Sequence, residues 1–331
     1  MSKLDNTPKQ KTLSIGNGHL VAERVATKIV EQATPTHLLL NEIDLIDVET
    51  IEYKELVVTS RPKIRHTGEQ NGVTLQVSNG ESQHYTPVGS LFGKVYVQTL
   101  MTDEIVTDAK LTIEDEFVRL ASNDFLDALI NEILLGDETK TDGVQKLRGL
   151  LNTRIDKANS FVEALKDDSS RDTEFYQVIK TGSPSLFGGT PADIKAHFAA
   201  LKKSLPSKHK RNAKWYMNAD TFESLELVVD TVGQPLLISW GRSVYGGNES
   251  FIMLGHPIVI IDQMPNIGAN ETPVIFGDMR SAIKALSLTG EGSHLVVDKL
   301  TVKGAFIVYI DTRYGVIMQA NDSIRVSLQA V

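Results

Sequence analysis

Residues 273–283 read PVIFGDMRSAI, an apolar run that opens after a proline and stops at a glycine followed by polar residues. Apolar runs bounded by proline and glycine are typical of buried strands. Two related segments precede this one, GHPIVIIDQMP at residues 255–265 and WYMN at residues 215–218, the latter with Thr221 three residues on. The three segments predict buried strands at 215–218, 258–261 and 274–276.

Helical periodicity dominates two stretches in the middle of the chain. Residues 113–134 carry one wide apolar stripe, which overlaps a capping pattern at 112–115 and ends before Gly136. The stripe predicts a helix of about 24 residues, roughly 36 Å long at 1.5 Å per residue. A second amphipathic helix is predicted after Thr190, with a proline at its first position and its end near Lys203.

Strand-like alternation covers residues 53–101, with 56–58 and 95–99 as the two sides of a long hairpin and a glycine-bearing tip at 66–84. Because an isolated two-stranded hairpin is marginally stable in water, we expect this excursion to lie on a neighbouring subunit. Upstream, the three leucines at 38–40 predict an extended segment. In the last third, the pattern predicts a helix at 219–229 and strands at 235–238, 295–297, 305–311, 315–320 and 324–328.

The composition is that of an ordinary globular chain. Its 331 residues are 41% hydrophobic and 23% charged, enough to bury one large core or two moderate ones. The absence of cysteine excludes disulfides, thiolate catalysis and cysteine-based metal sites. A formal net charge of −8 argues against tight nucleic-acid binding, which needs a surplus of Lys and Arg on some face. No apolar run reaches about 18 residues, so we expect synthesis in the cytoplasm without secretion or a membrane span.

Candidate catalytic patterns are incomplete or occur in the wrong order. Ser281 and Lys284 fit S-x-x-K and residues 180–182 fit K-T-G, but in penicillin-interactive enzymes the first pattern precedes the second, and the middle S-D-N is missing here. The eight histidines show no zinc-binding spacing, and the chain holds no P-loop and no G-x-S-x-G elbow. We therefore predict that the protein is not an enzyme, and we assign no catalytic, cofactor-binding or metal-binding residues and no cofactor.

Two other features allow more than one interpretation. Residues 208–211 and Lys214 form the main basic cluster, shortly after the lysines at 202–203. This cluster is either a solvated loop or a charged contact with an adjacent subunit or with nucleic acid. Trp215 and Trp240 are candidates for ligand stacking, but a tryptophan within an apolar strand usually belongs to the core, so we expect both to be packing residues.

The order of these segments resembles that of a known family. The segments at 215–218, 255–265 and 273–283 are similar to those of the major capsid proteins of tailed bacteriophages, whose fold is named after phage Hong Kong 97. The segment QKLRGLLN at 145–152 resembles the QPxGLLN segment that follows the long helix in this family, with Lys146 in place of the proline and one residue inserted. The resemblance extends over nearly the whole chain.

The resemblance implies an α+β chain with the Hong Kong 97-like capsid fold. Such a subunit has an N-arm, an extended β-hairpin loop, a peripheral domain with a long spine helix, and an axial domain. The implied boundaries are 1–46 for the N-arm, 47–98 for the extended loop (E-loop), 99–144 and 273–318 for the peripheral domain, and 145–272 and 319–331 for the axial domain. The helix predicted near 112–135 is then the spine helix.

By this resemblance, the protein is a structural major capsid protein that self-assembles through hexamers and pentamers into an icosahedral phage head around double-stranded DNA. Its implied partners are further copies of itself, scaffold and portal proteins, and packaged DNA through non-specific contact, with no membrane. Its implied location is the virion and, during assembly, the host cytoplasm. Two alternatives stay open: an encapsulin-like nanocompartment shell of the same fold, and a soluble α+β enzyme with an unrecognised site.

Overall fold

The structure is a computed structural model. It describes residues 38–50, 53–58, 85–89, 91–102, 127–137, 149–152, 155, 176–181, 186–230, 232–242, 249–288, 294–298, 303 and 305–330. Within these ranges the chain forms a seven-stranded sheet, a five-stranded sheet and a two-stranded ribbon, with helices packed around them. The α+β class predicted from the sequence is therefore confirmed.

The helices and strands are named in chain order. The helices are α1 (Leu38–Asn41), α2 (described over residues 127–135), α3 (Pro191–Ser204), α4 (Ser207–Lys210), α5 (Ala219–Glu226) and α6 (Met279–Ala282). The first strands are β1 (Asp44–Val48), β2 (Lys54–Val58), β3 (Tyr85–Gly89), β4 (Leu91–Thr102), β5 (Gln177–Lys180), β6 (Lys214–Met217) and β7 (Ile238–Arg242). The later strands are β8 (Glu249–Met253), β9 (His256–Ile260), β10 (Val274–Gly277), β11 (Ile283–Leu288), β12 (His294–Asp298), β13 (Ala305–Met318) and β14 (Ile324–Leu328).

The seven-stranded sheet is built around the three segments singled out in the sequence. Its strands follow the order β5-β14-β10-β6-β9-β8-β7, so β10, β6 and β9 are neighbours near its centre. β10 is antiparallel to both β14 and β6, and all of its residues are buried. The strands predicted at 215–218, 258–261, 274–276 and 324–328 are confirmed, the first three with small shifts at their ends.

Alternate residues of the central strands face opposite sides of the sheet and enter different cores. On one side, Trp215 and Phe276 belong to the same buried cluster as Phe198 of α3. On the other side, Tyr216 and Ile275 share a cluster with the buried residues of α2. The period of two along a strand produces this division. The sheet is therefore a middle layer, with α3 on one face and α2 on the other.

α3 forms as the sequence predicts. The hydroxyl of Thr190 accepts a hydrogen bond from the backbone N–H of Asp193 at 3.2 Å, and Pro191 fills the first helical position. Lys202 and Lys203 lie in the last turn, where the helix dipole favours positive charge. The apolar residues that α3 buries are Ile194, Phe198 and Leu201.

One long strand organises the five-stranded sheet. β13 pairs with β4 along most of its length on one side and with β11 and β12 on the other. The sequence predicted two strands here, 305–311 and 315–320, because polar residues interrupt the apolar pattern at 311–313. This division is wrong: residues 311–313 pair with residues 94–96 of β4, and the ladder keeps the backbone extended.

Two other local predictions are also wrong. Residues 95–99 do not pair with 56–58, because β2 pairs with β3 while β4 finds a ladder of matching length on β13. The leucines at 38–40 belong to helix α1, since Leu39 turns into the main core and is 1% exposed. The hairpin tip at 66–84 and the first part of the predicted spine helix lie outside the described residues.

Two short crossovers between the sheets lie side by side, in addition to the long connection from β4 to β5. The first crossover, Asp278 with α6, leads from β10 to β11, and the second, residues 319–323, leads from β13 to β14. The backbone N–H of Asp278 donates to the carbonyl of Ser323 at 3.0 Å, and the backbone N–H of Gln319 donates to the carbonyl of Ala282 at 2.9 Å. These hydrogen bonds fasten one crossover to the other.

Residues 149–152, the GLLN segment, cap the C-terminal end of α2. The backbone N–H groups of residues 149–151 donate to main-chain carbonyls within residues 133–136 at 2.8 to 3.0 Å. The side-chain amide of Asn152 donates to the carbonyl of Leu135 at 2.9 Å. Because the last carbonyls of a helix have no partner inside it, this segment satisfies groups that would otherwise be left without hydrogen bonds.

Replacing Gly149 by alanine should destabilise the subunit. An added Cβ would lie 2.3 Å from the backbone nitrogen of Gly136, so the GLLN segment would have to move away from α2. Overpacking of this kind costs about 1–3 kcal/mol, and thermal unfolding followed by circular dichroism measures it. Gly268→Ala is the control, because its Cβ would meet only the side chain of Glu271, with the Cγ at 3.3 Å and the Cβ at 3.9 Å. Equal melting temperatures for Gly149→Ala and the wild type would contradict the prediction.

Candidate functional site

The three signature segments meet at the centre of the seven-stranded sheet, where Trp215 pairs with Phe276 on one side and with Ile258 on the other. The Trp215 indole N–H donates to the carbonyl of Met253 at 2.8 Å, and its ring centroid lies 4.1 Å from that of Phe276. Trp215 is fully buried, which confirms its predicted packing role. The side chain of Trp240 lies outside the described part of the chain.

Asn218 ties the first two signature segments together. Its Oδ1 accepts a hydrogen bond from the backbone N–H of Thr221 at 2.7 Å and so caps α5. Its Nδ2 donates to the carbonyl of Met264 at 3.2 Å and also contacts the Asn266 side chain. One buried amide therefore starts a helix and holds the loop after β9.

The turn before β9 explains the start of the second segment. Leu254 and Gly255 have φ values of 50° and 88° and connect the last residue of β8 to the first of β9, as in a two-residue hairpin turn. Lys202 of α3 donates to the carbonyl of Leu254 at 2.6 Å. His256 donates from Nδ1 to the carbonyl of Ala213 at 3.1 Å, and burial lowers the pKa of His256 to about 4, so it is neutral.

Acidic side chains within the subunit hold much of the basic cluster. Lys208 Nζ lies 2.5 Å from Asp322 Oδ2, and His209 Nε2 lies 3.2 Å from the other oxygen of that carboxylate. Lys214 pairs with Glu42 at 2.5 Å. These acidic partners come from distant parts of the chain, so Lys208, His209 and Lys214 contact the rest of the subunit, although the Lys208 side chain stays half exposed. Arg211 of the same cluster is exposed.

The fragments of the penicillin-interactive pattern have local structural roles. The Ser281 hydroxyl donates to the Asp278 carboxylate at 2.8 Å, within the cap of α6. Thr181 follows β5, where its hydroxyl accepts from the backbone N–H of Ala330 at 2.9 Å. Among the described residues, no group of three or more His, Asp or Glu side chains is placed to hold a metal ion.

An exposed apolar turn follows α5. The sequence predicted a helix through 229, but α5 ends at Glu226, because Val229 bridges to Pro235 and the chain turns tightly between them. In place of the strand predicted at 235–238, this bridge precedes β7. Leu227 and Val232 are 81% and 79% exposed, and Val229 is partly exposed. We call Leu227, Val229 and Val232 the apolar turn.

Asp230 makes the apolar turn rigid. Its Oδ1 accepts hydrogen bonds from the backbone N–H groups of Val232 at 2.8 Å and Gln234 at 3.0 Å. These hydrogen bonds lower the pKa of the Asp230 carboxyl. The turn therefore holds its apolar side chains in a fixed position in solvent. The sequence analysis missed this feature, since Leu227 and Val229 also fit the apolar face of a longer helix.

A second exposed apolar surface lies on β4. Tyr96 and Leu100 are 57% and 59% exposed and, four positions apart, lie on the same face of the strand. The ring of Tyr96 stacks on that of Tyr309 across the β4–β13 pair, with centroids 5.7 Å apart. This β4 face, Tyr96 and Leu100, lies on the five-stranded sheet, whereas the apolar turn precedes a strand of the other sheet.

Replacing Asn218 by alanine should cost more stability than replacing Thr190 by alanine. Both changes remove an N-cap, which costs about 1 kcal/mol. Only Asn218→Ala also leaves the buried carbonyl of Met264 without its side-chain donor, which adds about 1–3 kcal/mol. Chemical denaturation of both variants measures the difference. Equal losses would show that the contact with Met264 contributes nothing.

None of the helices in the described ranges is both long and apolar enough to span a bilayer.

The sequence matches the model of the phage capsid family over residues 17–325. No curated protein matches it.

Solved structures with a similar fold include a particle capsid, a phage chain and an encapsulin. The capsid of a native GTA particle is 17% identical, with a TM-score of 0.67 over 100% of this chain and 95% of that one. A chain of Mycobacterium phage Ogopogo is 16% identical, with a TM-score of 0.53 over 89% and 92%. The holo-SrpI encapsulin complex from Synechococcus elongatus PCC 7942 is 12% identical, with a TM-score of 0.53 over 99% and 92%. Because the family model matches nearly the whole chain, the chain belongs to the phage capsid family and is a structural major capsid protein with the Hong Kong 97-like fold.

Proposed function

We propose that the protein self-assembles through hexamers and pentamers into an icosahedral phage head that encloses double-stranded DNA. The observation that carries this proposal is the family match over residues 17–325. The protein acts by forming a wall and catalyses no reaction. It assembles in the host cytoplasm with scaffold and portal proteins and ends in the virion.

The arrangement of the sheets supports the proposed domain division. β5 to β9 and β14, from the seven-stranded sheet, fall within the proposed axial domain, residues 145–272 and 319–331. β11, β12 and β13, from the five-stranded sheet, fall within the proposed peripheral domain, residues 99–144 and 273–318. Three strands do not follow the division. β10 lies at 274–277 but pairs within the seven-stranded sheet. β1 and β4 pair within the five-stranded sheet but extend across the proposed bounds at 46/47 and 98/99. The N-arm at 1–46 and the E-loop at 47–98 complete the proposed subunit.

The apolar turn is a contact between neighbouring copies in this proposal. Leu227 and Val232 together keep most of their side-chain surface in water in the isolated subunit, and burying such a side chain contributes about 1.5–3 kcal/mol. Because Asp230 already fixes the turn, little conformational entropy is lost when a neighbour covers it. In a symmetric shell, the same contact repeats at every equivalent position, so modest interfaces add up to a durable wall.

DNA enters this proposal only through non-specific contact. The net charge of −8 suits the inner wall of a container that must not bind its contents tightly. The similarity to the SrpI encapsulin favours one alternative, a nanocompartment shell that encloses protein. Nuclease treatment of particles purified from infected or induced cells separates the two functions. Protected double-stranded DNA supports the phage head, whereas particles that hold protein cargo without DNA support the nanocompartment.

The variants Leu227→Asp and Val232→Asp should block assembly and leave the subunit folded. Each change places a charge where the proposed contact excludes water, while a substitution at an exposed position changes stability by only about 0.5 kcal/mol. Sedimentation and negative-stain electron microscopy report particles, and circular dichroism reports folding. Asn270→Asp is the control, because it adds the same charge at another exposed position. Normal shells from both apolar-turn variants would contradict the proposed contact.

Deleting residues 68–83 should abolish closed shells and leave a soluble subunit, because the E-loop is proposed to reach across a neighbour. The same sedimentation assay measures this outcome. Shells of normal size from the deletion variant would exclude a lattice role for this segment.

A further inference from the structure

The two crossovers between the sheets share a buried histidine. His209 lies on α4 and is 8% exposed. Its Nε2 is 3.2 Å from Asp322 Oδ1 on the second crossover, and its Nδ1 is 4.0 Å from Asp278 Oδ2 on the first. One imidazole ring therefore contacts a carboxylate on each of the two crossovers.

The charged groups around this ring are few and well defined. Lys208, next to His209 on α4, pairs with the second oxygen of Asp322. The guanidinium of Arg325, on β14, donates to the main-chain carbonyl of Asp322 at 3.1 Å. Asp278 also accepts hydrogen bonds from Ser281. Two carboxylates thus face the imidazole directly, and Lys208 is the nearest cation that competes with it for Asp322.

We propose that His209 is a proton-controlled clasp that fastens both crossovers to α4 and thereby sets how firmly the two sheets are held together. A protonated imidazole carries an N–H on each nitrogen and can serve both carboxylates. A neutral imidazole has one N–H, so its other nitrogen turns a lone pair toward a carboxylate. Loss of the proton therefore replaces an attraction by a repulsion at one of the two crossovers.

The direction of the pH dependence follows from the surroundings. Burial by itself lowers the pKa of His209, but Asp278 and Asp322 outweigh burial and raise it above its usual value of 6.5. Burial tends to raise the pKa of both carboxyls, but contacts with His209 and other donors lower both. The clasp is therefore complete below the unfolded pKa of histidine and is lost as the pH rises through the higher pKa of folded His209. Both carboxylates stay charged over this range.

The location gives the clasp a mechanical role. Backbone hydrogen bonds of Asp278 with Ser323 and of Gln319 with Ala282 join the crossovers directly. When the side-chain clasp is weakened, the backbone hydrogen bonds between the crossovers open more often. The sheets then have more freedom to change their relative orientation, whether or not the subunit is part of a shell.

Hydrogen–deuterium exchange of the full-length protein at pH 6 and pH 8.5 tests the clasp. After correction for the intrinsic rate, protection of peptides that contain 278–282 and 319–323 should fall several-fold at the higher pH. His209→Gln should abolish this difference, because glutamine does not titrate. His197→Gln should retain it, since burial lowers the pKa of His197 to about 4 and this residue is neutral at both pH values. A pH dependence that survives in His209→Gln would overturn the proposal.

Lys208→Gln provides an independent test that does not depend on the folding of the His209 variant. The Lys208 side chain is half exposed, so its loss should leave the fold intact. Removing this cation should raise the pKa of His209, because the positive charge of Lys208 opposes protonation. The midpoint of the exchange transition should therefore move to higher pH. An unchanged midpoint, or one at lower pH, would overturn the clasp.

Discussion

Close contact between two backbones at the end of β10 holds the centre of the fold together. Gly277 lies so near the start of β14 that a Cβ would be 2.2 Å from the Ser323 carbonyl oxygen, and its φ of 153° also favours glycine. This contact lets β10 finish the middle of one sheet and turn at once into α6, which leads to the other. Asp278, the next residue, caps α6 and faces His209. Two consecutive residues, Gly277 and Asp278, therefore take part in sheet pairing, helix capping and the clasp.

The sequence predicted those elements whose signal is local. β14 and the start and end of α3 have apolar patterns and caps that need no distant partner, and they lie where expected. The sequence predicted two strands in place of β13, because the polar residues at its middle are held extended by pairing with β4, which is far away in the chain. The leucines at 38–40 form a helix because packing into the core overrides the pattern of the isolated segment.

The candidate site was predictable to the same degree. The signature segments were identified correctly as buried strands, and Asn218 followed by Thr221 carries a readable capping signal. The sequence revealed the charges of the basic cluster but not its acidic partners, because Asp322 is separated from His209 by 113 positions. The apolar turn could not be predicted, since exposed and buried apolar residues look alike in a sequence. The end of the helix is visible only in the structure, from the bridge between Val229 and Pro235 and the hydrogen bonds of Asp230.

The most direct test of the account is a reconstruction of the wild-type particles by electron cryo-microscopy at a resolution that shows side chains. We predict a closed icosahedral shell of hexamers and pentamers in which Leu227 and Val232 are covered by a neighbouring copy. The map should also place β10 between β6 and β14 in every subunit, as in the isolated chain. A protein that remains a monomer or dimer, even with a co-expressed scaffold, would contradict the account, as would a shell in which the apolar turn is exposed to solvent.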